Sequence, residues 1–440
     1  MNFIHAFRKF SLMGSSVSDN NYELSRRRFI VEGCISNAIY TLTSGAFLVG
    51  YARYLGANDQ FNGIIIAIPL LTYMIQMFSP MLLERLSSRK KLIVALCAFY
   101  RTLLGLMVLI PSLTDNKSAR LLLLAGMYFT AYAAFSFLNP AGASWIISLV
   151  PENVRGKYFG LRDMCILASA AVLSIVMGRV LDAFKFYNKE FFGFAVVFAV
   201  VLVLVVFNII MLKGIKEPEV AKLERNLTLK SMFTLPLKNK NFRKVIILNI
   251  FWNLAGQLAL PFFSVYMVTG LKLSYTFIMI VGIVMSFTQS PSAKMWGKLS
   301  EKVGWESTTV LSIGLVGICH LLWAFVDKNT CFVLIPIIQV LAGIAWAGVN
   351  LSLFNIQFKH APQEGRTIYI GFNAAMAGAA GFSSALAGAA LVGALNGIKI
   401  KLGIITLDNM LFIFGLSGIL IVCCAVFFSF WFREKKSIVE

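Results

Sequence analysis

Apolar residues in this chain come in long runs, not in the alternation of a half-buried strand or the single stripe of a surface helix. Each run is close to the ~20 residues that a helix needs to cross the hydrocarbon core of a bilayer. They predict twelve spans, at 29–54, 61–80, 92–111, 120–150, 159–182, 191–213, 243–269, 275–293, 308–326, 332–357, 367–395 and 407–432. The stretches between them are short and polar. The longest, 214–242, is rich in Lys, Glu and Asn, holds Pro218 and Pro236, and separates six spans from six. It is too short for a domain and reads as a tether between two halves. The predicted organisation is an N-terminal segment (1–28), a six-helix bundle (29–213), a linker (214–242), a second six-helix bundle (243–432) and a tail (433–440).

The two halves carry one pattern. Between Asn139 and Arg162 an apolar run ends at Val150, Pro151 stops the helix, and a basic hairpin with Arg155, Lys157 and Arg162 leads into the next run. Shifted by 211 residues, Asn350, Pro362, Arg366, Tyr369 and Gly371 fall on Asn139, Pro151, Arg155, Tyr158 and Gly160. A basic turn repeated half a chain apart predicts two pseudosymmetric copies of one helical bundle.

Composition agrees. The 440 residues are 58% hydrophobic and 14% charged, where a soluble domain carries about 25% charged residues. So much apolar surface requires the bilayer as solvent. A net charge of +20 would suggest nucleic acid in a soluble protein, but no soluble basic domain is present to bind it. The basic residues sit between runs instead. With both termini inside, cytoplasmic segments hold 29 Lys and Arg and the opposite side holds 10, which predicts N-in and C-in topology against anionic lipid. The first 28 residues lack the apolar core of a signal peptide. Phe3, Ile4, Phe7 and Phe10 share a helical face, which fits either a helix lying on the membrane or a disordered tail.

Other classes are excluded. Seven cysteines, an odd number without a CxxC, give neither a disulfide framework nor a zinc site of normal spacing, and no metal or cofactor is expected. No loop could house an enzyme active site, so no catalytic residues are assigned. No G-x-x-x-x-G-K-[ST] stretch occurs, which removes direct ATP drive.

With six plus six spans and a central basic loop, the chain resembles the major facilitator superfamily of secondary transporters over nearly its whole length. That family carries G-x-L-x-D-R-x-G-R-R between spans two and three. Here the loop reads PMLLERLSSRKK, with Glu84 at the acid, Arg85 at the base after it, Arg89 and Lys90 at the basic pair, and Pro80 and Ser87 in place of the glycines. The second half repeats it between spans eight and nine as GKLSEKVG, with Gly297, Leu299, Glu301, Lys302 and Gly304. The RGKYFG turn at Arg155–Gly160 is similar to the RGR-type turn of many bacterial members. The resemblance implies a cytoplasmic gate, with Glu84 against Arg155 or Arg162 and Glu301 against Arg366, an acid that can also sit at a neighbouring helix N-terminus. Plain solvated positive-inside residues are the alternative.

The resemblance also implies that spans 1, 4, 7 and 10 line a central cavity. Their polar stripes agree: Asn37, Tyr40, Thr41 and Ser44; Tyr128, Tyr132, Ser136 and Asn139; Asn249, Trp252, Asn253 and Gln257; Gln339, Trp346 and Asn350. Such groups are costly against lipid, so they must face protein or water. Interhelical hydrogen bonding would also satisfy them. Arg101, in the middle of span 3, needs a partner, either an anionic substrate or an internal one. Glu32, one turn into span 1, suits a proton-coupling site or a local pair with Arg27 or Arg28. His320 reads as a packed histidine and Asp182 as an i, i+3 partner of Arg179. Pro140 and Pro261 are expected to bend spans 4 and 7, and the glycines of span 11 to allow close helix approach.

The expected function is secondary active transport of a small solute across the cytoplasmic membrane by alternating access, coupled to protons or another ion, by a monomer in contact with membrane lipid. Neutral amides and aromatics suit sugars, nucleosides or amphipathic solutes, and Arg101 leaves an anion open. A lipid mover of the same fold, or a non-transporting sensor or assembly protein, is the alternative.

Overall fold

The computed structural model describes residues 17–79, 88–217, 229–362, 366–398, 400–402 and 405–433, and almost all of them are helical. The first half holds α1 (Val17–Leu42), α2 (Gly45–Tyr54), α3 (Asp59–Gln76), α4 (Lys90–Leu106), which passes through a 3-10 turn into α5 (Ile110–Leu113), α6 (Lys117–Leu149), α7 (Glu152–Phe186) and α8 (Glu190–Lys213). The linker contributes α9 (Leu229–Lys238). The second half holds α10 (Lys240–Gly256), α11 (Leu260–Val265) with a π turn after it, α12 (Tyr275–Trp323), α13 (Cys331–His360), α14 (Arg366–Ala394) and α15 (Asn409–Arg433). Among the described residues, nine helices are long and apolar enough to cross a membrane.

Local chemistry explains the boundaries. Asn58, Asn116 and Ser274 each accept a backbone N–H three residues on, capping α3, α6 and α12. The first predicted span is broken: Ser44 is extended and Gly45 takes φ 53°, which glycine adopts at little cost. The freed polar groups are answered locally, with the Thr43 and Ser44 hydroxyls donating to the Ile39 and Tyr40 carbonyls. Span 7 is interrupted between α10 and α11, and Pro261 stands in the first turn of α11. α6, by contrast, continues as helix through Pro140. α12 is two helices joined at Gly304, where φ 83° and ψ 162° leave the helical region.

Two expectations are corrected. The basic hairpin after Pro151 does not form. Pro151 alone makes the turn, and α7 starts at Glu152, so Arg155, Lys157 and Arg162 stand on its first turns. A proline at a helix start gives up no hydrogen bond there, which is why the chain resumes helix at once. The linker is not a plain tether, since α9 packs Met232 against Met77 and Ala375. A short antiparallel hairpin, Ile400–Leu402 with Ile405–Leu407, precedes α15.

The halves meet along two seams. α3 runs against α14, where a Cβ on Gly378 would lie 2.6 Å from the Leu70 carbonyl oxygen. α7 meets α12 at one end, where a Cβ on Gly178 would lie 3.1 Å from the Thr276 nitrogen. Gly160 lies 18 residues earlier on α7, five whole turns, and so points the same way. A Cβ there would meet nothing within 4 Å. On this face α7 is close-packed at Gly178 and open at Gly160.

Candidate functional site

Arg101 has found internal partners. Arg101 is 5% exposed and Glu32 7% exposed. An Arg101 Nη2 donates to Glu32 Oε1 at 3.1 Å and to Ser36 Oγ at 2.6 Å. Nε donates to the Tyr100 hydroxyl at 2.8 Å, and Nη1 donates to Asn208 Oδ1. Asn208 Nδ2 turns back to Glu32 Oε1 at 3.4 Å. A buried guanidinium is tolerable only when charge and donors are both answered, and this cage answers them. Glu32 does not pair with Arg27 or Arg28. Arg27 binds Glu23, and Arg28 donates to the Gly214 carbonyl. Asn208 and Ser36 were not singled out from the sequence, although an asparagine inside the apolar run of α8 was the available signal.

This cage forms one wall of a cavity of about 300 Å³, lined also by Asn37, Tyr40, Tyr132, Phe135 and Arg162. Tyr40, in the last turn of α1, is 55% exposed, so its ring faces open space. Tyr132 is buried against Tyr128, ring centroids 4.6 Å apart. Three of the predicted residues of spans 1 and 4 thus share one cavity with Arg101.

In the second half a small pocket is lined by Trp252, Asn253, Gln257, His320 and Trp346. Trp252 and Trp346 meet edge to face at 5.8 Å. Asn253 Nδ2 donates to the Asn249 carbonyl at 2.8 Å, which leaves its oxygen toward Gly381 of α14. His320 Nδ1 lies 3.0 Å from Ser417 Oγ and its ring packs on Phe263, as a packed histidine should. Asn249 departs from the expected stripe. It is buried, donates to the Val245 carbonyl of its own helix and lines neither cavity. Asn139 and Asn350, the repeat-related pair, are exposed on α6 and α13 and likewise stand outside the two cavities.

Of the expected ion pairs of the basic end, Glu301 with Arg366 does not form among the described residues. Glu84 and Arg85 lie outside the described residues. Arg155 is 3.7 Å from Glu152 on its own helix, and Arg162 is 3.7 Å from Asp163. Arg366 sits over the Phe358 ring at 5.2 Å, while Glu301 and Lys302 are exposed on α12. Charge at this end is joined elsewhere. Glu306 binds Lys359 Nζ at 2.6 Å and His360 Nε2 at 3.3 Å, tying the start of the second part of α12 to the end of α13. The hydrogen bond from His360, then that from Lys359, holds the Glu306 carboxyl down to about 2.

The opposite end is latched. Asp182 Oδ1 accepts the Tyr275 N–H at 2.8 Å, and Oδ2 accepts the Thr276 N–H at 2.8 Å and its hydroxyl at 2.6 Å. The expected pair with Arg179 does not form among the described residues. A carboxylate at the first turn of α12 gains both unmade N–H groups and the positive end of the helix.

The family model of the Major Facilitator Superfamily matches residues 31–385. The chain belongs to the major facilitator superfamily. It is thus a multi-pass membrane protein of a transporter family. Solved members of similar shape include a point mutant of the nucleoside transporter NupG, at TM-score 0.70 and 13% identity over 92% of this chain and 99% of that one. A bacterial homologue of the iron transporter ferroportin, in an inward-facing state, aligns at TM-score 0.67 and 13% identity over 92% and 98%. A bacterial homologue of the human lysosomal transporter Spinster, inward-facing and unoccupied, aligns at 0.59 and 13% over 95% and 96%. At such identity these likenesses speak for the fold alone. No curated protein matches by sequence.

Proposed function

We propose that this superfamily member is a secondary active transporter with twelve crossings and both termini in the cytoplasm. In this reading α1 with α2 and α10 with α11 each make one broken crossing, α3 makes one, and α12 makes two on either side of Gly304. The 29 basic residues then lie inside and the latched end lies outside, with the open face of α7 at Gly160 toward the cytoplasm.

The observation that carries the reading is the pair of polar hollows on the predicted helices. Tyr40, Asn37 and Tyr132 stand on one half, and Asn253, Gln257, Trp252 and Trp346 on the other. Aromatic faces with amide donors and acceptors suit an uncharged, ring-bearing polar solute such as a nucleoside or a sugar. Alternating access follows if the Asp182 latch breaks while the Arg155 and Arg366 regions close. Glu32 carries the coupling proton in this scheme. As a carboxylate it holds Arg101 in the cage; once protonated it releases the guanidinium toward the cavity. Arg101 is then a switch, not a fixed substrate ligand.

Ligand-dependent stability tests the solute class. A ligand at one hundred times its Kd stabilises the folded protein by about 2.7 kcal/mol. Purified protein melted against panels of nucleosides, sugars and amphiphiles should show a shift with the first two classes that Tyr40→Ala and Trp346→Ala abolish. A shift with amphiphiles alone would favour a lipid mover.

A further inference from the structure

We propose that His320 is a specificity-determining residue of the second-half pocket, where its Nε2 accepts a hydrogen bond from one hydroxyl of the carried solute. This rests on the solute-transport function proposed for the two hollows, and it names the group by which the solute is recognised.

The proton positions follow from the hydrogen bonds around the ring. Ser417 Oγ lies 2.6 Å from the Ala255 carbonyl oxygen. A carbonyl only accepts, so the single hydroxyl proton of Ser417 is used there. Ser417 Oγ also lies 3.0 Å from His320 Nδ1, and toward that nitrogen it can only accept. The proton of this second bond therefore sits on Nδ1. In a neutral ring that leaves Nε2 a bare acceptor. Ser417 is 0% exposed, so water does not compete for either bond. The relay runs from α12 through α15 to α10 and holds the ring in one orientation, with Phe263 against it at 4.9 Å.

Nε2 is left for a ligand. It makes no hydrogen bond among the described residues, although the ring is 3% exposed. Nor is it sealed off by protein, as both side-chain amide atoms of Asn62 are, and the ring lines the pocket with Trp252, Asn253, Gln257 and Trp346. An acceptor this deep without a donor is costly, so the pocket calls for one.

The size of the space selects the donor. The pocket has a volume of about 10 Å³, about what one water needs. A hydroxyl has the size of a water and both donates and accepts. It donates to Nε2 and has acceptor capacity left for the Gln257 amide or an indole N–H of the lining, none of which is hydrogen-bonded among the described residues. A methyl group in its place would leave Nε2 unanswered, and a larger polar group would not enter. The substrate class is thus a solute that presents a free hydroxyl beside an aromatic wall.

The test uses the full chain in detergent. Uridine and glucose, each with its single-deoxy analogues, are titrated by calorimetry against wild type, His320→Asn and His320→Gln. The first variant keeps an N–H at the Nδ1 position for Ser417 but does not reach the pocket, whereas the second can carry its amide oxygen to the Nε2 position. Removal of one particular hydroxyl should weaken wild-type binding about tenfold, the scale of a buried acceptor left without its donor. The same removal should change binding less than about twofold in His320→Asn and about tenfold again in His320→Gln. NMR of the chain labelled at its histidine nitrogens should show the His320 proton on Nδ1, and an Nε2 resonance that moves with the parent solute but not with the deoxy compound. That measurement needs no variant, so it stands if a substitution impairs folding. Equal losses in wild type and His320→Asn, no loss for any deletion, or a proton on Nε2 would overturn the proposal and leave the transport reading in place. Failure of uridine, glucose and every analogue to bind would instead overturn the solute class on which both rest.

Discussion

The Asp182 carboxylate accepts the Tyr275 backbone N–H at 2.8 Å, and through it one half of the chain caps the first helix turn of the other half's α12. The contact is a charge at a helix N-terminus, with the Thr276 amide and hydroxyl as further donors. It can form only when α7 and α12 meet at this end.

Removing the carboxylate should loosen that end. Hydrogen bonds to a charged group are worth about 2 kcal/mol each, so losing even one net bond shifts the closed-to-open ratio roughly thirtyfold. Spin labels at Lys189 and Lys272 should report longer distances in Asp182→Ala than in wild type. Identical distance distributions would show that the latch does not hold the end shut.

The Glu32–Arg101 pair should behave as a buried unit. Arg101→Met alone leaves a buried acid without its cation, a loss of about 3–5 kcal/mol when one partner is removed. Adding Glu32→Met should recover most of it. Thermal unfolding of the two singles and the double measures the coupling, and strictly additive losses would mean the 3.1 Å contact contributes nothing.

A pH effect follows at the basic end. The Glu306 carboxyl is held down to about 2 in the folded chain from an ordinary value of 4.5, so its contribution is complete above about 4.5 and is lost as pH falls toward 2. Wild type minus Glu306→Gln should therefore lose its stability advantage across that window. A difference constant from pH 6 down to pH 3 would remove the role of His360 and Lys359 in holding the charge.

The span 2–span 11 seam should be intolerant of bulk. Gly378→Ala places a methyl 2.6 Å from a backbone carbonyl that cannot swing aside, whereas Gly371→Ala meets nothing within 4 Å. The first should lower the melting temperature and the second should not. Equal melting of the two would show that the halves do not pack as closely as described.

Much of this arrangement was legible in one dimension. Apolar runs end where helices end: 191–213 became Glu190–Lys213, and 367–395 became Arg366–Ala394. The polar start of α1, from Val17, carries no such mark, so the run began the span at 29. Partners across the fold were hidden for the same reason. Arg101 meets Asn208 at a separation of 107 residues, and no periodicity tells which faces will touch. Asp182 looked paired to Arg179 because Arg179 is its neighbour on the helix, while its true partner lies 93 residues on. Of the stripes on spans 1 and 4, Asn37, Tyr40 and Tyr132 line one cavity, while Thr41, Ser44, Tyr128, Ser136 and Asn139 do not. Asn249 belonged to its stripe by spacing but satisfied itself on its own helix.

The central claim is that solute crosses between the Tyr40 and Asn253 sides of the two halves. The direct measurement is flux of the stabilising solute into proteoliposomes, with and without a pH gradient, at equal amounts of reconstituted protein. The account predicts saturable, gradient-sensitive uptake in wild type that falls at least about tenfold in Asn253→Ala, as loss of a buried polar contact to the carried solute requires. Uptake no greater than in empty liposomes, or undiminished in Asn253→Ala, would contradict it.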